Sequence, residues 1–425
     1  MRFTSLLFGA ILCSSASFSQ TATPKPHKLT PNAVYDISNL SSPLISPEGD
    51  WILYSVSKAD AQKDKNVSQL YMINKTGTET VSLTEQTKGV GNYQWSPEGK
   101  YISFLTAGKE EKEGSQLFLL DRRGGEPIQL THIKGEIATY QWFKDGSKIL
   151  FEIKDPSFAD TAKSKVRQPY EIDRYHFKAD YEGYLDNRKT HLYTFDVKTK
   201  TLDTLTKGAN NETDAVVNAD GKWVAYASNV SVDFDKNANT DIFLLSLTKD
   251  AKPTQLTFYK GTDRRPKFSP DYSKIAFLRS SSEDPFNMYD IQHLGIIDIA
   301  SKTDKVITKQ YDLSIDNIFW SLDGKSIFGT ADDDRKQNII QINASTGAVN
   351  AFTNEVGVYN GINMNEKGKM VALFSTPNQP NEVFLNEGAG FKQVTHVQDL
   401  SLIHISEPTR QAGISYAVFC LKKKK

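Results

Sequence analysis

The sequence predicts an all-β fold, a seven-bladed β-propeller of four-stranded blades, on three observations. A strand–turn–strand element recurs seven times, a second hairpin follows each copy, and no convincing amphipathic helix lies between them. The first element reads SPEGDWILY (46–54), SPEGKYISF (96–104), FKDGSKILF (143–151), NADGKWVAY (218–226), SPDYSKIAF (269–277), SLDGKSIFG (321–329) and NEKGKMVAL (365–373). Three residues past the turn glycine stand Ile52, Ile102, Ile149, Val224, Ile275, Ile327 and Val371, all β-branched. Two further on come Tyr54, Phe104, Phe151, Tyr226, Phe277, Gly329 and Leu373, so this face of the strand is expected to be buried in almost every repeat. Glycine at the turn permits positive φ, and the fifth repeat departs from the pattern with Tyr272.

The second hairpin opens with QLYMIN (69–74), QLFLLD (116–121), HLYTFD (191–196), DIFLLS (241–246), HLGIID (293–298), NIIQIN (338–343) and EVFLNE (382–387). Each return strand ends in a hydrophobe and a threonine: Thr84, Thr131, Thr206, Thr257, Thr308, Thr353 and Thr395. A β-sandwich with coincidental turns would not repeat one four-strand unit at a fixed beat. Every blade reads as whole, which predicts a ring closed only by side-chain packing between first and last blades.

Successive turns are 50, 47, 75, 51, 52 and 44 residues apart. The long interval places an insertion of about 25 residues, relative to its neighbours, between strands two and three of the third blade, from about Asp155 to Arg188. It interleaves Phe158, Tyr170, Tyr175, Phe177, Tyr181 and Tyr184 with Arg167, Glu171, Asp173, Arg174, Asp180, Glu182 and Asp186. Rigid rings among charges suit an interface or peptide site. A long hairpin packed on its own propeller is the other reading.

The propeller is expected over 35–397, after a signal peptide at 1–19 and a linker at 20–34. Arg2, the apolar run Leu6 to Leu12 and the small residues up to Ser19 have the order of a secretory signal, too short to span a bilayer, so the chain is expected to be exported, periplasmic or secreted. Lipidation at Cys13 fits poorly because Leu12 precedes it. The only other cysteine, Cys420, lies in the tail, so the body is expected to stand on core burial without disulfides. A formal net charge of +0 gives no electrostatic argument for nucleic acid or an anionic membrane. Residues 398–425, ending in four lysines, lose the pattern and resemble translated sequencing-adapter read-through.

The turn and the QLYLxD hairpin ending in QLT resemble the propellers of the prolyl oligopeptidase family and of TolB. The stretch IDRYHFKADYEGYLDNRKTHLYTFDV (172–197) is similar to the acylaminoacyl-peptidase and dipeptidyl-peptidase-like branch. That resemblance, covering about Leu29 to Thr395, implies a propeller that precedes a serine-triad α/β-hydrolase domain, admits peptides and excludes folded proteins. It makes Glu171, Arg174, Tyr175 and Glu182 candidates to face a peptide substrate.

The chain itself contains no G-x-S-x-G, and none of its seven histidines has an evident nucleophile and acid, so no catalytic residue, cofactor or metal is assigned and the chain as written is expected to be inactive. Asp233, Asp235, Asn237, Asn239 and Asp241 alternate as calcium ligands do. Ala238 and Leu244 stand where such a loop needs glycine and glutamate, which favours a solvated hairpin. Two functions follow: the substrate-gating propeller of an exported serine peptidase whose catalytic domain is missing, with peptide substrate and hydrolase domain as partners, or a stand-alone TolB-like binding propeller.

Overall fold

The computed structural model describes Tyr35 and residues 37–62, 64–84, 89–109, 114–156, 171–180, 183–284 and 287–398. The signal, linker and most of the tail therefore lie outside the described residues, as does Glu182. Among the described residues there are thirty strands and no α-helix. Seven antiparallel four-stranded units span 39–82, 91–129, 136–204, 212–255, 263–306, 315–351 and 358–393. The last two are joined by one parallel bridge, Gln337 to Val358. The fold is the β-propeller, with each blade built from four strands contiguous in sequence apart from the blade-three insertion.

The repeated β-branched residue has the same environment each time: Ile52, Ile102, Ile149, Val224, Ile275, Ile327 and Val371 are all 0% exposed. The residues between the two repeated positions are buried as well, including Leu53, Ser103, Leu150, Ala225, Ala276, Phe328 and Ala372. The second strand is thus covered on both faces, because neighbouring blades press on either side of it. The glycine missing its side chain in blade six has a steric cause. A Cβ on Gly329 would stand 3.0 Å from the Asp316 carbonyl and 3.2 Å from Ile315 Cγ2.

The recurring threonine also has one job. Its Oγ1 accepts a backbone N–H within its own blade's third strand, at Leu70, Leu117, Leu192, Ile242, Leu294, Ile339 and Val383, over 2.8–3.0 Å. In several blades the hydroxyl then donates to the polar residue just before that strand's hydrophobic run, as Thr131 does to Gln116 and Thr257 to Asp241. A buried backbone donor would otherwise be left without a partner at the blade's edge, so the threonine is a structural cap.

The ring closes by more than side-chain packing. Leu40, Ile45, Ile52 and Tyr54 of blade one share a core with Val371, Leu373, Val383 and Leu385 of blade seven. Hydrogen bonds reinforce that seam: Ile45 N–H to Asn363 Oδ1 at 3.1 Å, Asn365 Nδ2 to the Ser46 carbonyl at 3.1 Å, and Lys369 Nζ to the Gly49 carbonyl at 3.1 Å.

Strand direction sorts the loops onto two faces. Turns between strands one and two, and three and four, lie on one face. Hairpins between strands two and three, together with the inter-blade connections, lie on the other, called here the hairpin face. No described helix is long and apolar enough to cross a membrane.

Candidate functional site on the hairpin face and in the channel

The blade-three insertion rises from the hairpin face, because strands Lys148–Lys154 and Thr190–Asp196 pair in full register beneath it. Within it, two short strands, Lys178–Ala179 and Gly183–Tyr184, pair antiparallel. Asp235 of blade four anchors it. Its carboxylate accepts Arg174 Nη2 at 3.1 Å and the His176 N–H at 3.0 Å, together with the Tyr175 N–H. Burial works against ionisation of Asp235 more than any other single influence, but the His176 N–H, the Arg174 guanidinium and the Tyr175 N–H together hold it below the usual carboxylate range. Arg174 also donates to the Asp186 carbonyl at 2.9 Å.

These contacts separate the candidates by role. Arg174 is spent on tying the insertion to blade four. Tyr175 is 62% exposed, its ring edge-on to His176 at 5.2 Å. Glu171 is exposed and makes no hydrogen bond or ion pair to any described residue. The alternating Asp/Asn run of blade four does not converge. Asp235 turns to the insertion, Asn237 Nδ2 donates to the Asp233 carbonyl at 2.7 Å, and Asp241 accepts Thr257 and Tyr259.

A second feature escapes the sequence pattern. The first strand of each blade has a register shift, and in six blades it coincides with a residue at positive φ: Ser42, Asn92, Asp214, Arg265, Asn317 and Gly361. Each stands seven residues before its turn position, where blade three has Thr139. A β-bulge with a left-handed residue bends the strand and re-aims its side chains. Thr139, Asp214, Arg265 and Asn317 accordingly line one cavity of about 460 Å³, shared by blades three to seven at the centre of the ring. The signal was in the sequence as a polar or glycine residue at a fixed offset, hidden because its identity changes from blade to blade.

The cavity is charged. Glu152 Oε1 accepts the Ala215 N–H at 2.7 Å, Asp214 Oδ2 accepts the Arg265 N–H at 3.0 Å, and the Arg265 guanidinium pairs with Asp316. Burial pushes the Glu152 carboxyl up to about 7 against that hydrogen bond, and the Asp214 charge adds to the rise. Lys267 reaches the water of the cavity with protein close around it, and this desolvation lowers its pKa; Asp214 opposes the effect and Arg265 adds to it. A larger hollow of about 790 Å³ lies on the other face between blades three and four, lined by turn residues such as Asp145, Asp220 and Asp250.

No family model matches the chain. It is 27% identical over 366 residues to dipeptidyl-peptidase 5 of Porphyromonas gingivalis, covering 82% of this chain and 53% of that protein. The chain spans about half the length of that relative. The fold superimposes on Pyrococcus horikoshii acylaminoacyl peptidase with a TM-score of 0.68 at 17% identity, covering 86% of this chain and 54% of that one. It superimposes on the β-propeller domain of the trilobed protease of Pyrococcus furiosus, described as having an open velcro topology, with a TM-score of 0.61 at 18% identity. There the match covers 86% of this chain and 98% of the other. The chain therefore resembles, in sequence and in fold, the propeller portion of peptidases of the prolyl oligopeptidase type.

Proposed function

We propose that this chain is the substrate-gating, non-catalytic propeller portion of an exported serine peptidase that cleaves peptides, and that the catalytic α/β-hydrolase domain is missing from it. The observation that carries this is the match to dipeptidyl-peptidase 5 over 82% of this chain but only 53% of the relative. The hairpin face supports it. The first strand enters and the last strand leaves on that face, which also carries the blade-three insertion and exposed apolar side chains including Val232, Phe258, Met288 and Tyr289. Large apolar side chains exposed on one face in this way suit an interaction surface. On this reading the hydrolase domain covers the hairpin face, and Glu171, Tyr175 and Glu182 meet the peptide between the two domains. Arg174 would act by holding the insertion in place.

The test is to express the complete gene beside the 425-residue chain and assay both with dipeptidyl fluorogenic substrates and a serine-directed label. The complete product should release dipeptides and take the label, and the shorter chain should do neither. A gene that ends after the last blade would overturn the peptidase reading and leave a stand-alone binding propeller. Export predicts that the secreted form lacks residues 1–19, which mass spectrometry of the mature N-terminus reads directly.

A further inference from the structure

The charges of the central cavity are only partly spent on one another: Asp214 acts on Lys267 through its charge, without a hydrogen bond or ion pair between them. Lys267 lines it and makes no side-chain hydrogen bond or ion pair with any described residue. Arg265, the neighbouring cation, is committed to Asp316. In the same cavity Glu152 gives one oxygen to the Ala215 N–H and Asp214 one to the Arg265 N–H, and the second oxygen of each carboxylate has no donor among the described residues. Glu152 is buried with one oxygen unpaired, a costly state, whereas Asp214 and Lys267 keep contact with solvent, so groups of both signs are open to a ligand. Ile318, Phe319 and Ile362 add apolar wall between them. A simple inorganic anion would meet two carboxylates, and a metal cation would meet the ammonium. A ligand carrying both charges at its two ends, with small side chains between, satisfies every group.

We propose that the central cavity is a binding site for a short unblocked peptide, its carboxylate held by Lys267 and its ammonium by Glu152 and Asp214. A volume of about 460 Å³ falls in the range of small-molecule sites. The site uses only channel residues, so it holds whether or not the chain belongs to a peptidase.

Calorimetric titration of the 425-residue chain with Ala-Ala, N-acetyl-Ala-Ala and Ala-Ala amide at about pH 8 tests it, above the raised pKa of about 7 at Glu152. Free Ala-Ala should bind, and blocking either end should weaken binding by about tenfold or more. Lys267→Met should cause a similar loss, Lys267→Arg should restore most of it, and both variants should keep the parent melting temperature. Equal binding of free and blocked peptides, undiminished binding by Lys267→Met, or no heat with Ala-Ala at millimolar concentration would each overturn the site. Should Lys267→Met fail to fold, the comparison of blocked with free peptides on the parent chain decides alone.

Discussion

At the scale of single residues, the repeat lets one blade predict another. Six turn glycines lie at φ between 65° and 80°, and Tyr272 takes φ 60° in the same place. An L-residue other than Asn or Asp is strained there, so Tyr272→Gly should stabilise the chain by about 1 kcal/mol in urea unfolding. The departure at Tyr272 was legible in the sequence, because the hydrogen-bonded turn around it dictates the backbone whatever side chain it carries. Glu152 was not legible, since its repeat position is an ordinary strand residue and only the assembled ring buries it. Its folded carboxyl keeps a proton up to about 7, whereas the free group loses it near 4.5. Between those values the folded chain binds more protons than the unfolded chain, so stability falls as pH rises through this window. Glu152→Gln is neutral throughout and can still accept the Ala215 N–H. It should flatten this slope between about pH 5 and 8 and gain up to about 3 kcal/mol at the upper end, as read by urea unfolding at each pH.

At the scale of elements, the blade-three insertion sits outside the sheet that carries it. Strands Lys148–Lys154 and Thr190–Asp196 pair from Lys148↔Asp196 to Lys154↔Thr190, and Asp155 N–H bonds the Lys189 carbonyl at 2.8 Å. Replacing 156–188 by Asn-Gly would close the same hairpin with a favoured tight turn. The shortened chain should unfold cooperatively with a melting temperature within about 3 °C of the parent. In the complete gene product the same change should weaken peptide binding. Collapse of the fold on deletion would instead make the insertion a structural brace. The spacing of the turns showed where this element is, but not what holds it. Asp235 looked like one member of an alternating acidic loop, and its true partner, the 174–176 segment, is about sixty residues away in sequence, beyond the reach of any local pattern. Asp235→Ala should therefore leave the melting temperature nearly unchanged while speeding limited proteolysis between 156 and 189.

At the scale of the whole molecule, six blade interfaces have a covalent connection across them and the seventh, between blades one and seven, does not. That each blade would be made of consecutive strands followed from where the repeat begins and ends. The hydrogen bonds that stitch the seam did not, because asparagine and lysine in a turn read as solvated residues until the ring brings Ser46 and Gly49 against them. Asn365 is the centre of this stitching. Its amide donates to the Ser46 carbonyl, its oxygen accepts the N–H groups of Lys367 and Lys369, and it is only 8% exposed. Removing it takes one of two donors from the Ser46 carbonyl, which keeps the Gly49 N–H, and leaves the Lys367 and Lys369 amides without their acceptor, at a cost of about 1–3 kcal/mol. If the seam is where the ring yields, Asn365→Ala should do more than lower global stability. Under native conditions it should speed amide hydrogen exchange selectively in the facing inner strands Asn39–Ile45 and Val358–Met364, while Glu212–Val217 and Asp263–Phe268, on the far side of the ring, stay protected. Uniform acceleration around all blades would mean that the ring opens only by global unfolding, and that a peptide could reach the channel solely through its two faces.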